Sequence, residues 1–319
     1  MHRNYLNYDT GAAALPEFGT TQGMQMLSTI RPKTFNDLII ISGLAHGTNV
    51  WAGNAEDLIK EGKSINEIIG CRDEIMTYLI SMGLDSSLAF GIMEGVRKGK
   101  KLTSNQEAEM RAHGVPEFYI DSCNKIAYLF PRGHAVAYVT MAVRVAYFKL
   151  YYPLEFYAVF FSIRSDDWDI KTMIEGEDSV IAKIKEWTPR MHDRENPLST
   201  KETKQYKTLL IALEMLERGY KFANIDLYRS DYKMFVVDHE NKALIPPFSV
   251  IDGLGLSAAK SICEAREEKN EFGEPKRFIS KEDLLQRTKL SSALLKKLEE
   301  LGVLTNLSET NQVSLFEFI

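Results

Sequence analysis

Apolar positions recur at helical spacing along most of this chain. In RPKTFNDLIIISGLA, residues 31–45, Pro32 precedes an apolar run, and Thr34 with Asp37 three positions later reads as an N-cap. The HGTNVWAGN that follows is rich in loop formers: Gly47, Asn49, Gly53 and Asn54. Helical spacing returns over residues 54–61 and in CRDEIMTYLISMGL. SSLAFGIMEGVRKGKK sets Leu88, Ile92 and Val96 on one stripe before running out in glycine and lysine. HAVAYVTMAVRVAYFKLYY, residues 134–152, predicts a long helix stopped by Pro153. It is apolar over most of its circumference, which predicts a buried central helix.

The pattern then changes. Residues 186–207 are polar and charged with two prolines, and are the best candidate for a linker. TLLIALEMLERGY is an amphipathic helix ending at Gly219. YKMFVVDHENKALIPPF reads as two short strands around an Asp-His-Glu-Asn turn, and residues 250–304 return to helices. The expected fold class is mainly α with a small β element near residues 225–248.

Composition narrows the class. A chain of 319 residues, 45% hydrophobic and 26% charged, suits one large or two modest globular domains. No apolar run approaches the roughly 20 residues needed to cross a membrane, and the first residues carry no signal-peptide pattern. Cys71, Cys123 and Cys263 are odd in number and widely spaced, which supports neither a disulfide framework nor a zinc site. The expectation is a soluble, reduced, cytoplasmic protein. Net charge is −5, so any contact with nucleic acid has to be local, through patches such as residues 97–101, Arg132 near His134, or Lys276-Arg277.

Two stretches carry candidate chemistry. Gly253-Leu254-Gly255 precedes a helix whose Ala258, Ala259, Ile262 and Cys263 form an inner face. Glycines before a helix leave amides pointing at an anion, with the helix dipole adding attraction, as in a helix-hairpin-helix on a DNA phosphate. Residues 280–304 look like a degenerate second half, with Leu290, Leu294, Leu298 and Leu301 inside, Ser291 or Ser292 as cap and Gly302 as stop. An ordinary helical pair with a glycine turn explains the same residues equally well. The second stretch, Asp166-Asp167-Trp168-Asp169, has the D-x-D spacing of a two-metal site. It reads better as the cap and first turn of a helix. His46 and His134 lack a spaced nucleophilic or acidic partner, and no Walker loop is present.

Taken together, LPEFGT (15–20), RPKTFNDLIIISGLAHGTNVWAGNA (31–55), IIGCRDEIMTYLI (68–80), IMEGVRKGKKLT (92–103), residues 115–149 around FPRGHAVAY, NIDLYRSDY (224–232), LIPPFSVIDGLGLSAAKSICEAREE (244–268), FISKEDLLQRTKLS (278–291) and NQVSLF (311–316) carry a resemblance. In this order they resemble the C-terminal part of the PolC-type DNA polymerase III alpha subunit, a bacterial replicative polymerase of the C family. The resemblance implies an N-terminal remnant over 1–15, polymerase fingers over 16–195, and a linker with a small duplex-binding element over 196–245. It further implies a tandem helix-hairpin-helix over 246–306 and a sliding-clamp-binding tail over 307–319.

By the same resemblance the fingers bind the incoming dNTP. Ser42, Gly43, His46 and Gly47 match a loop beside its base, and His134, with Tyr138 one turn on, matches a position at its phosphates. Arg72, Lys98 and Lys100, expected on the faces of successive helices, would supply the cations that a departing pyrophosphate needs. Gly253, Gly255 and Lys260 would hold primer–template DNA. Gln312, Leu315 and Phe316, in a Q-x-x-L-F peptide, would dock on the sliding clamp, while Glu317, Phe318 and Ile319 continue past the usual end. The family's catalytic carboxylates lie in a palm domain with no counterpart here. The expectation is therefore no catalytic residue, no bound cofactor, and Mg only with the palm of a missing N-terminal half. The rival readings are a stand-alone DNA- and clamp-binding module and a helical scaffold.

Overall fold

The computed structural model describes residues 9–191 and 193–311. Two compact units divide at Tyr147 and Phe148.

Unit 1 is helical: α1 Thr21–Ile30, α2 Phe35–His46, α3 Glu56–Lys60, α4 Arg72–Ser81, α5 Ser86–Val96, α6 Ser104–Ala112, α7 Glu117–Lys125 and α8 Arg132–Tyr151, whose last turn belongs to unit 2. The expected cap of α2 is present. Thr34 Oγ1 accepts from the Asp37 amide at 3.2 Å, and Asp37 accepts from the Lys33 and Thr34 amides at 2.8 and 3.1 Å. Those bonds, the Lys33 amide first, hold the Asp37 carboxyl below its ordinary value. With its start set, α2 buries Ile39, Ile40, Ile41 and Leu44. α5 buries Ile92 and Val96 of the predicted stripe.

The long helix α8 forms where the sequence predicts it, but it is not a buried one. Ala135, Val139 and Ala142 are buried, while Tyr138, Met141, Val143 and Leu150 are exposed, Leu150 at 69%. An all-round apolar surface makes burial affordable on every side, and packing supplies it here along one narrow stripe.

Unit 2 contains α9 Pro153–Val159, α10 Ile170–Glu175, α11 Glu177–Trp187, α12 Thr200–Glu217, α13 Leu256–Glu267, α14 Lys281–Arg287 and α15 Ser292–Glu300. Strands β1 Lys221–Phe222, β2 Val236–Asp238 and β3 Ala243–Ile245 form a sheet of order β1-β3-β2. The predicted hairpin is β2 and β3, paired antiparallel from Val236 opposite Ile245 to Asp238 opposite Ala243. β1, parallel to β3 over two residues, is too short to show a period of its own. Phe161 packs against Phe222 and Phe235 at centroid distances of 5.2 and 5.7 Å, anchoring the sheet to the residues after α9.

Much of the expected linker is ordered. α12 starts at Thr200, eight residues before the apolar pattern begins, because Ser199 and Glu202 form a capping box. Arg190 then binds the Glu202 carboxylate at 3.0 Å. The Ser199 amide and Arg190 hold that carboxyl down at about 2. Polar composition marks a loop only when no cap converts it into a helix start. Ile262 in α13, Leu298 in α15 and Leu304 in the turn after it are buried, Ser291 caps α15, and Gly302 takes φ +71°.

Candidate nucleotide and nucleic-acid sites

In unit 1 the extended segment 126–131 is the frame on which the expected nucleotide residues meet. On one side Thr48 donates its amide to the Tyr128 carbonyl at 3.0 Å and accepts from Ala127. On the other, the first amide of α4, that of Arg72, donates to the Phe130 carbonyl at 3.1 Å. This places Phe130 between the end of α2 and the start of α8. Its ring stacks on His46 at 4.7 Å and lies 6.0 and 6.2 Å from His134 and Tyr138. His134 and Tyr138 are 6.4 Å apart, one turn along α8 as expected. Residues up to 92 positions apart in sequence, His46 and Tyr138, thus form one open aromatic cluster.

His46 is further held from below. Its Nδ1 donates to the Ser42 carbonyl at 2.8 Å, and its Nε2 faces the Glu17 carboxylate at 3.6 Å. Glu17, which sits at φ +64°, also accepts from the buried Ser42 hydroxyl at 3.2 Å. Glu17 and Phe130 are the members of this cluster that sequence reasoning missed. Each lies inside a quoted stretch, Phe130 in FPRGHAVAY and Glu17 in LPEFGT, but nothing local tied Glu17 to partners 25 and 29 residues away.

The glycines of this region are packing residues. A Cβ on Gly43 would lie 2.4 Å from the Gly70 carbonyl oxygen and 2.6 Å from Cys71 Sγ. One on Gly47 would lie 2.3 Å from Val50 Cγ2. Burial raises the Cys71 thiol to about 12, so it is an inert core group.

Of the three expected cations, Arg72 lies on a helix as read from sequence and the two lysines do not. Arg72 opens α4 and stands 3.7 Å from Asp73. Lys98 and Lys100 do not lie on a helix face. They follow the end of α5 in a turn around Gly99, whose φ of +73° and close approach to the Ala127 carbonyl exclude a side chain. That turn borders the same 126–131 frame. Lys98 pairs with Glu94 at 3.0 Å, and Lys100 is exposed. Arg132 is occupied by Glu74 and Asn36.

In unit 2, Gly253 takes φ +82° and Gly255 is the N-cap of α13, with no side-chain cap on the helix. The first amides of α13 therefore lack both an intrahelical acceptor and a capping oxygen. Three lysines surround this end. Lys289 Nζ lies 3.3 Å from Ser257 Oγ, Lys297 donates to the Asp252 carbonyl at 2.6 Å, and Lys201 binds the Asp252 carboxylate at 2.9 Å. The last contact lowers the Asp252 carboxyl. A groove of about 530 Å³ runs past this turn, lined also by Asp166, Gln205 and Lys171. Lys260, in the second turn of α13, is exposed and 3.5 Å from Glu264. The three surrounding lysines come from α12, from the stretch between α14 and α15, and from α15 itself, and no local pattern announced them.

The aspartates after α9 act in the fold as read from sequence. Asp169 caps α10 by accepting from Thr172, and Asp167 accepts from the Trp168 amide and from Gln205. Among the described residues no group of three His, Cys, Asp or Glu side chains is placed to hold a metal ion. No helix among them is long and apolar enough to cross a membrane. Gln312, Leu315 and Phe316 lie outside the described residues.

Two family models match parts of the chain. The bacterial DNA polymerase III alpha subunit finger domain matches residues 6–117, and a helix-hairpin-helix motif matches residues 219–313. The class is thus a finger and helix-hairpin-helix portion of a bacterial DNA polymerase III alpha subunit. A DNA polymerase III PolC-type from Oceanobacillus iheyensis is 49% identical over 312 residues, 98% of this chain and 21% of the relative. Those of Listeria monocytogenes and Bacillus subtilis are each 50% identical over 308 residues, 96% of this chain and 20% of each relative. The chain belongs to the PolC-type DNA polymerase III family, as a C-terminal portion of it. It spans about a fifth of the length of the curated relatives it matches.

Proposed function

We propose that this chain is the part of a replicative DNA polymerase that receives the incoming dNTP, grips duplex DNA and docks on the sliding clamp. The observation that carries the reading is the start of α13, where uncapped amides meet Lys201, Lys289 and Lys297 at one turn. Amides and lysines of this kind bind backbone phosphates without reading bases, so affinity should fall steeply with salt. Replacing Gly255 by glutamate sets a carboxylate where the phosphate would lie. Gly255→Glu in the full chain is expected to weaken binding to a labelled duplex at low salt by about tenfold. Unchanged affinity removes this site.

In unit 1, His46, Phe130 and Tyr138 offer ring faces to a base, while His134, Arg72, Lys98 and Lys100 border the same frame as donors for a triphosphate. Nucleotidyl transfer also needs carboxylates that hold paired metal ions against the attacking and leaving oxygens. In this reading those belong to the palm of the same polymerase, and this chain alone is inactive. Given primer–template, dNTPs and magnesium, the pure chain should extend no primer; clear extension overturns that part. Gln312, Leu315 and Phe316 form the clamp ligand.

A further inference from the structure

The first turns of α12 wall a second groove, of about 420 Å³, which shares Asp166 with the groove at the α13 turn. Arg164, Lys204 and Lys207 line it, all exposed, and none of them makes an ion pair among the described residues. The other α12 lysine beside a groove, Lys201, is paired with Asp252. Ser165 also lines this groove, and its Oγ is shielded from solvent with no hydrogen-bond partner among the described residues. A hydroxyl hidden from water is normally satisfied. The single carboxylate in the lining is Asp166. Three cations thus face one acid in a protein whose net charge is −5.

The two grooves are neighbours. Both include Asp166, and both use α12, with Lys201 and Gln205 on the first and Lys204 and Lys207 on the second. Lys204 and Lys207 are one turn apart, about 4.5 Å along the helix axis. A single small anion is usually held by buried, converging donors. Exposed lysines in a row on an open groove suit a repeating charge instead.

We infer that the Arg164–Lys204–Lys207 groove binds consecutive backbone phosphates of nucleic acid, continuing the track that begins at the α13 turn. This rests on the duplex reading proposed above. The lysines act there as point charges indifferent to base sequence.

The test compares the full chain with a Lys204→Ala/Lys207→Ala variant, titrating a labelled duplex across a salt series. Loss of two phosphate contacts should lower the slope of log affinity against log salt by about 1.8. Lys204→Arg/Lys207→Arg should keep the parent slope, and thermal melts of all variants should coincide. If the alanine variant keeps the parent slope while Gly255→Glu weakens binding, the inference falls and the duplex reading stands. A reduced slope with Gly255→Glu unaffected keeps this groove as the phosphate site and removes the α13 turn. Inorganic phosphate at matched ionic strength should displace duplex no better than chloride. Stronger displacement that disappears in the alanine variant would make this a small-anion site and overturn the inference.

Discussion

Gly43→Val should destabilise unit 1 by about 3 kcal/mol, the upper end of what overpacking a well-filled core costs. The first added carbon would sit 2.4 Å from the Gly70 carbonyl oxygen and 2.6 Å from Cys71 Sγ. A carbonyl oxygen is backbone, so relief requires α2 and the 70–71 segment to separate. The reciprocal contact is equally tight, since a Cβ on Gly70 would meet Ile40 Cγ2 at 2.6 Å. Separation would also shift Ser42 and His46, which lie on the same turns of α2 as Gly43 and fix the Phe130 stack. Hydrogen exchange is the measurement: residues 35–46 and 72–81 should lose protection while α12 keeps it. If the variant folds with parent protection and loses only dNTP affinity, Gly43 is a ligand contact and the packing account fails.

Leu315→Ala together with Phe316→Ala is expected to abolish clamp binding, lowering affinity by at least about a hundredfold. Buried aromatic and aliphatic anchors concentrate interface energy, and truncating each at a central position costs about 2 kcal/mol or more. Gln312 contributes amide hydrogen bonds at the pocket rim, a smaller share, so Gln312→Ala should lose less. A direct titration against the sliding clamp decides this, with the duplex affinity of the same variant as control. Parent-like clamp affinity in the double variant would remove the tail from the proposed function.

How much of the molecule was legible depends on the range of the interactions. The α2 cap was readable because Thr34 and Asp37 are three residues apart, and local hydrogen bonds obey local spacing. The β2–β3 hairpin and the capping role of Asp169 were readable for the same reason. The α12 start was missed although its capping box is local, because the polar run around it resembles a linker. The surroundings of α8 were not readable. Its periodicity reports which faces tolerate burial, and Leu150 and Met141 are nevertheless exposed.

The sequence alone determined the helical class, most helix positions, the identity of the candidate residues and the family. These follow from periodicity, caps and the order of matching stretches. Tertiary structure alone decided that His46, Phe130, His134 and Tyr138 form one cluster with Glu17 behind it. It also decided that Lys201, Lys289 and Lys297 converge on the α13 turn, and that Arg164, Lys204 and Lys207 share a groove. The physical reason is common to all three. A charge or a ring acts over a few ångströms in space, and the chain brings such neighbours together from dozens of residues apart only by packing its core.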